Sequence, residues 1–150
     1  MRQKLNTGIR AAIYLVILLL AGCATSYQPK GLTGGFSEIQ IAEGTYQITF
    51  EGNAYTDKRK TIDFTLLRSA EITLENGYRY FVITDSGAER DYRQRDRVLH
   101  ASGAVSFIVK KPSASNTIIC FREDVKSEPD FYDAKYVAES IRKKYGIGGY

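Results

Sequence analysis

The chain has 150 residues, 43% hydrophobic and 25% charged, with 11 Tyr, 7 Phe and no Trp, which supports one core and argues against disorder. Its formal charge of +4 suggests a polyanionic partner until the basic residues are located. Arg2, Lys4 and Arg10 stand at the start without one acid beside them, and setting those three aside from 21 leaves 18 basic against 17 acidic side chains, too even a balance for a protein that neutralises a row of nucleic-acid phosphates.

Residues 11 to 20 read AAIYLVILLL and are followed by the small residues Ala21 and Gly22. A basic start, a short apolar run and small residues, in that order, are the three parts of a secretory signal. Crossing about 30 Å of hydrocarbon takes roughly 20 apolar residues at about 1.5 Å each, and Ala11 to Gly22 falls short of that. Leu20, Ala21, Gly22 and Cys23 resemble the lipobox of bacterial lipoproteins, in which a large apolar residue and two small ones precede the cysteine that becomes the new N-terminus. That resemblance implies a cleaved leader over residues 1 to 22 and acyl chains on Cys23 that anchor the protein to a membrane without crossing it. It also implies delivery to the outer membrane, on its periplasmic side, because residue 24 is Ala where an aspartate would retain such a protein at the inner membrane. Residues 23 to 37 then form the acylated cysteine and a tether: ATSYQPKGLTGGFS has no apolar period and predicts a flexible link spanning about 20 Å.

From residue 38 the pattern becomes that of a folded domain. Ile39 and Ile41, then Tyr46, Ile48 and Phe50, alternate on either side of Glu43 and Gly44, which predicts a hairpin with one buried face. The period then changes: Ile62, Leu66, Ala70 and Thr73, with Leu67 and Leu74 beside them, form a helical stripe that stops at Asn76 and Gly77. YRYFVIT over 78 to 84 reads as a central strand. GAVSFIVKK and NTIICFRE read as two more strands, paired as a hairpin around PSASN. Ala134, Val137, Ala138, Ile141 and Tyr145 mark a second helix with Asp133 as N-cap, Arg142, Lys143 and Lys144 in its last turn and Gly146 as its stop. The order predicts an α+β fold: a mostly antiparallel sheet of about five strands with two helices on one face, spanning 38 to 146, and a loose tail over 147 to 150. A mixed sheet is the variant, since a helix between Phe50 and Tyr78 allows the flanking strands to run parallel as neighbours.

YQPKG, GGFSEIQI, YQITFEGNAYT and LLRSAEITLENGYRYFVI, with the lipobox, resemble small bacterial lipoproteins of the Caulobacter type. The resemblance covers about the first half of the mature chain. It implies residence in the cell envelope and transfers no activity to any residue.

Chemistry-bearing clusters are few. Arg90, Arg93, Arg95 and Arg97 surround Tyr92 in ERDYRQRDRVLH and could clamp phosphate or carboxylate groups of anionic lipid or peptidoglycan. Asp91 and Asp96 interleave them, so a self-neutralised loop or strand edge is the preferred reading. Glu123, Asp124, Glu128, Asp130 and Asp133 do not have the spacing of a calcium loop, and no metal site is expected. His100 is the sole histidine and has no catalytic motif around it. Cys120, in TIICF, reads as a small buried hydrophobe. Tyr46, Tyr78, Tyr80 and Tyr145 fall on core stripes, whereas Tyr27, Tyr55, Tyr92, Tyr132 and Tyr150 are left for a surface. With no catalytic residues and no cofactor motif, the expectation is a non-enzymatic accessory domain contacting another envelope protein, the alternative being a module that binds cell-wall glycan or anionic lipid.

Overall fold

In the computed structural model, which describes residues 24 to 88, 96 to 99, 105 to 108, 111 to 123 and 131 to 148, the first hairpin joins β1 (Gly35–Ala42) to β2 (Thr45–Glu51). Tyr46, Ile48 and Phe50 of β2 are buried as their alternation predicts. Ile39 and Ile41 of β1 are not: they remain 64% and 56% exposed. Side chains alternate across a strand, and the β1 residues opposite buried Phe50, Ile48 and Tyr46 are Phe36, Glu38 and Gln40, so the isoleucines take the other face. A register shift between Gln40 and Ala42 ends the regular pairing.

Helix α1 (Lys58–Glu75) leads to β3 (Tyr80–Ala88), after which β4 (Asp96–Leu99) and β5 (Val105–Ile108) pair only with each other. Then follow β6 (Ser113–Phe121), the short β7 (Phe131–Asp133) and α2 (Ala134–Tyr145). The main sheet has the order β1-β2-β6-β3-β7, with every neighbouring pair antiparallel. It is an α+β fold. The strands flanking α1 do run the same way, but β6 lies between them, so the mixed-sheet variant does not arise. The expected hairpin around PSASN does not form either, because Ser113 to Asn116 belong to β6 itself, where Ala114 and Asn116 are buried.

One face of the sheet carries the core. Tyr46, Ile48, Phe81, Ile118 and Cys120 meet Leu67, Ala70 and Ile72 of α1 and Ala134, Val137, Ala138 and Ile141 of α2. Each large apolar side chain removed from water here is worth about 1.5–3 kcal/mol. Helix α2 follows its expected pattern in detail, with Asp133 accepting from the Tyr136 amide at 3.0 Å and Gly146 left-handed at φ 63° as the stop. Helix α1 departs from its pattern. It begins at Lys58, four residues before the apolar period, and Ile62 of the expected stripe is 41% exposed. Thr61, Thr65, Ser69 and Thr73, one turn apart, are buried instead. Each hydroxyl donates to the carbonyl four residues back, at 3.1, 2.9, 2.9 and 2.7 Å, so the polar atoms enter the interior already bonded. Three of them also meet β6: Thr65 donates to the Ala114 carbonyl at 3.2 Å, Ser69 receives the Asn116 amide at 3.4 Å, and Thr73 lies 3.4 Å from the Cys120 sulfur.

Both expected loose segments are packed where they are described. Residues 24 to 36 are considered with the site below. In the tail, Ile147 packs on the core and its amide donates to the Arg142 carbonyl at 3.0 Å.

Candidate functional site

The residues just after Cys23 form a strap across the domain, which corrects the expectation of a free link over 24 to 37. Thr25 is only 2% exposed. Its amide donates to the Thr56 hydroxyl at 2.9 Å, its own hydroxyl donates to the Thr33 carbonyl at 2.7 Å, and it receives the Asn53 amide at 2.8 Å. Two residues on, the Tyr27 ring lies 4.9 Å from Phe36 and 5.3 Å, edge-on, from Phe64, which also meets Phe50 and Tyr145. Residues 28 to 30 then run beside β1: Phe36 donates to the Gln28 carbonyl at 2.9 Å and Lys30 to that of Phe36 at 2.7 Å. This close approach needs a glycine next to Phe36, because a Cβ on Gly35 (φ +131°) would stand 2.7 Å from the Pro29 carbonyl oxygen. Glycine and small polar residues, which read as slack in the sequence, here permit backbone-to-backbone contact.

Under the strap lies a buried ionic cluster. Glu71, on α1, is 3% exposed and accepts from three donors: the Tyr27 hydroxyl, Arg142 of α2 at 2.6 Å, and Arg68 at 3.4 Å. Arg68 in turn bridges Glu38 of β1, at 2.9 and 3.3 Å, and Glu75, at 2.7 and 3.1 Å. Its guanidinium also lies over the Phe36 ring at 4.7 Å. Burial pulls Arg68 toward its neutral form, but its bonds to Glu38 and Glu75 outweigh that and hold it above the ordinary arginine value. Burial, reinforced by the bond to the Glu71 carboxylate, pushes the Tyr27 hydroxyl far above the tyrosine range. Four pieces of the chain (strap, β1, α1 and α2) are thus joined at one carboxylate and one guanidinium. Glu71 has both oxygens engaged by this chain's own donors, which makes the cluster a clasp.

A second connection ties the start of α1 to the end of α2. Asp63 accepts from Lys144 at 2.5 Å and from the Tyr145 hydroxyl at 2.6 Å. On the far side of α2 a groove of about 600 Å³ is lined by Leu74, Ala138 and Ile147 with Lys135, Arg142 and Lys143. Lys135 is 4.0 Å from Glu139, and Arg142 already serves Glu71.

Most of the residues singled out in the sequence lie elsewhere. Leu20, Ala21, Gly22, Cys23, Arg90, Tyr92, Arg93, Arg95, His100 and Tyr150 are outside the described residues. Arg97 is in β4, in register with Phe107, and its side chain is also outside them. Of the acids between 122 and 133, Asp133 caps α2 and Glu123 is exposed, while Asp124, Glu128 and Asp130 are outside the described residues. Cys120 is a buried free thiol, as expected, with its pKa raised by burial against the Thr73 hydrogen bond. Tyr55 and Tyr132 are 73% and 38% exposed, but Tyr27, expected at the surface, is the residue that fastens the strap. Tyr80 turns away from the core, its ring against Phe131 at 5.4 Å.

Among the described residues no group of three or more His, Cys, Asp or Glu is placed to hold a metal ion, and no helix is long and apolar enough to cross a membrane. No protein-family model, curated protein or solved structure matches the chain.

Sequence reasoning missed Arg68, Glu71 and Arg142. One signal was present: Arg68, Glu71 and Glu75 fall at i, i+3 and i+7, along one face of the helical segment, where charged side chains of opposite sign meet.

Proposed function

We propose that this chain is a lipid-anchored bacterial envelope protein, held at the outer membrane by acylation of Cys23, whose domain is a non-enzymatic interaction module for another envelope protein. One observation carries the reading. The basic, apolar and small-residue segments end in LAGC, and the second residue after that cysteine is already buried in the domain, so the folded part starts where a processed lipoprotein would start. Support for a protein partner comes from β1, an edge strand that leaves Ile39 and Ile41 on the surface. The strap pairs alongside Phe36 and covers the start of that edge, while both isoleucines lie beyond it.

Mass spectrometry of the full chain produced in a Gram-negative host tests the anchor. The expected species begins at an acylated Cys23, and Cys23→Ser stays unacylated; an intact leader or an unmodified Cys23 thiol in the wild type overturns the reading. Cross-linking in gently solubilised membranes tests the module. A partner captured by the wild type and lost in Ile39→Asp with Ile41→Asp is expected, and a free monomer across several detergents refutes it.

The second reading, a module for cell-wall glycan or anionic lipid, is favoured by a different observation. Lys58, Arg59 and Lys60 crowd the first turn of α1, where the helix dipole favours acids. Binding to anionic vesicles or peptidoglycan by the wild type, reduced in Arg59→Ala, is its expected signature.

A further inference from the structure

The position of Thr25 fixes more than the start of the domain. Only Ala24 separates it from Cys23, and a chain spans at most about 3.6 Å per residue. An acyl anchor on Cys23 therefore holds Thr25 within roughly 7 Å of the modified residue, with none of the reach that a free 14-residue link would give. Whatever surrounds Thr25 must then lie against the bilayer.

Its surroundings suit a headgroup layer. Thr25 bonds to Thr33 and Thr56, whose neighbours Leu32 and Tyr55 are 102% and 73% exposed. A fully exposed leucine gains nothing from the fold, and a tyrosine carries the apolar body and polar tip suited to a membrane interface. Lys58 and Arg59 follow Thr56 after Asp57, and Lys111 precedes Pro112, whose carbonyl receives the Gly52 amide at 2.8 Å. Among the described residues the acids at this end are Glu51, paired with Lys30 at 2.6 Å, Asp57 and, one turn further along α1, Asp63, which is held by Lys144 and Tyr145. The cations at the start of α1 work against its dipole, and Asp57 makes no side-chain cap bond to relieve it. Their placement is unfavourable within the chain and favourable beside a layer of phosphates.

We infer that this end of the domain, with Leu32 and Tyr55 at its tip and Lys58, Arg59 and Lys111 around them, rests on an anionic phospholipid surface. The domain then sits in one fixed orientation, and the clasp at Glu71 is what transmits the anchor's position to it. This rests on the lipid-anchor reading above, which the experiment separates from the orientation itself.

The test uses the full, acylated protein in phosphatidylcholine vesicles with and without phosphatidylglycerol. Environment-sensitive labels are placed at Leu32→Cys and, as the control on α2, at the 72% exposed Tyr136→Cys, with a neutral aqueous quencher as readout. In anionic vesicles the label at 32 should be quenched severalfold less than that at 136. Lys58→Gln with Arg59→Gln should abolish most of that difference, since each cation near the surface is worth about fivefold in the docked population. Equal quenching at the two positions in a protein shown by mass to be acylated overturns the orientation and leaves the anchor standing. An unacylated Cys23 overturns both.

Discussion

Helices α1 and α2 pack side by side in one core yet are held by different physics. Helix α2 turns Ala134, Val137, Ala138 and Ile141 inward and leaves Lys135, Tyr136, Glu139 and Lys143 in water. It has one dry face, and the transfer of apolar surface accounts for most of its position, with polar ties only in its last turn, where Arg142 reaches Glu71 and Lys144 and Tyr145 reach Asp63. Helix α1 touches the sheet, α2 and the strap, so most of its circumference is buried, including Arg68 and Glu71 and the hydroxyl row from Thr61 to Thr73. Its position depends on polar groups that are bonded before or as they enter the interior. A periodic apolar stripe therefore reports a helix that still has a wet side, and it loses meaning once a helix is enclosed.

The largest expected break in that comparison is at Glu71. Glu71→Ala leaves Arg142 and Arg68, with side chains 17% and 11% exposed, facing an empty acceptor site; the expected loss is about 3–5 kcal/mol, the cost of stripping one partner from a buried pair. Urea midpoints measure it. Replacing Glu71 and Arg142 together by Leu and Met should recover part of that loss, because the uncompensated Arg142 charge is removed while the Tyr27 hydroxyl still lacks its acceptor. A cost under about 1 kcal/mol for Glu71→Ala would place α1 under the same rule as α2.

The same clasp makes stability depend on alkaline pH. Tyr27 has its folded pKa raised by burial and by Glu71, whereas in the unfolded chain it ionises near its ordinary value of about 10. Below that pH both states keep the proton and the contribution is fully present. Above it only the unfolded state loses the proton, so stability falls by up to about 1.4 kcal/mol per pH unit. Melting curves from pH 9 upward should show this slope, reduced in Tyr27→Phe. Tyr145, raised by burial and Asp63, leaves a residual slope.

For α2 the polar contribution is confined to its ends. Asp133→Ala removes the acceptor of the Tyr136 amide and should cost about 1 kcal/mol, with Asp133→Asn recovering most of it. A loss as large as that of Glu71→Ala would mean that the start of α2, and not only Arg142 near its end, depends on polar groups for its place.

Legibility in the sequence follows the same division. Helix α2, the β2 alternation, the Glu43-Gly44 turn and the α+β class are all written in apolar period and turn chemistry. The strap was not legible, because Gly34, Gly35 and the threonines around them serve equally as slack and as close-contact residues. Nor was β6 over PSASN, whose small polar residues mimic a turn while Ala114 and Asn116 face α1. The clasp was hidden because Arg68 finds Glu38 30 positions away and Glu71 finds Arg142 71 positions away, pairings that depend on tertiary structure.

The smallest effect sharpens the comparison most directly, since it concerns the residue on which the two descriptions of α1 disagree. The apolar stripe makes Ile62 a core residue, and truncation there would then cost about 2–5 kcal/mol. In the structure it is 41% exposed while Thr61 and Thr65 on either side are buried, so Ile62→Gln should change the urea midpoint by no more than about 0.5 kcal/mol. Thr65→Val, close in shape, should cost more, because the Ala114 carbonyl that Thr65 bonds would lose its side-chain donor. If the order of the two is reversed, α1 is rotated about its axis from the orientation described. The hydroxyl row would then face water, and the enclosure that separates α1 from α2 would disappear with it.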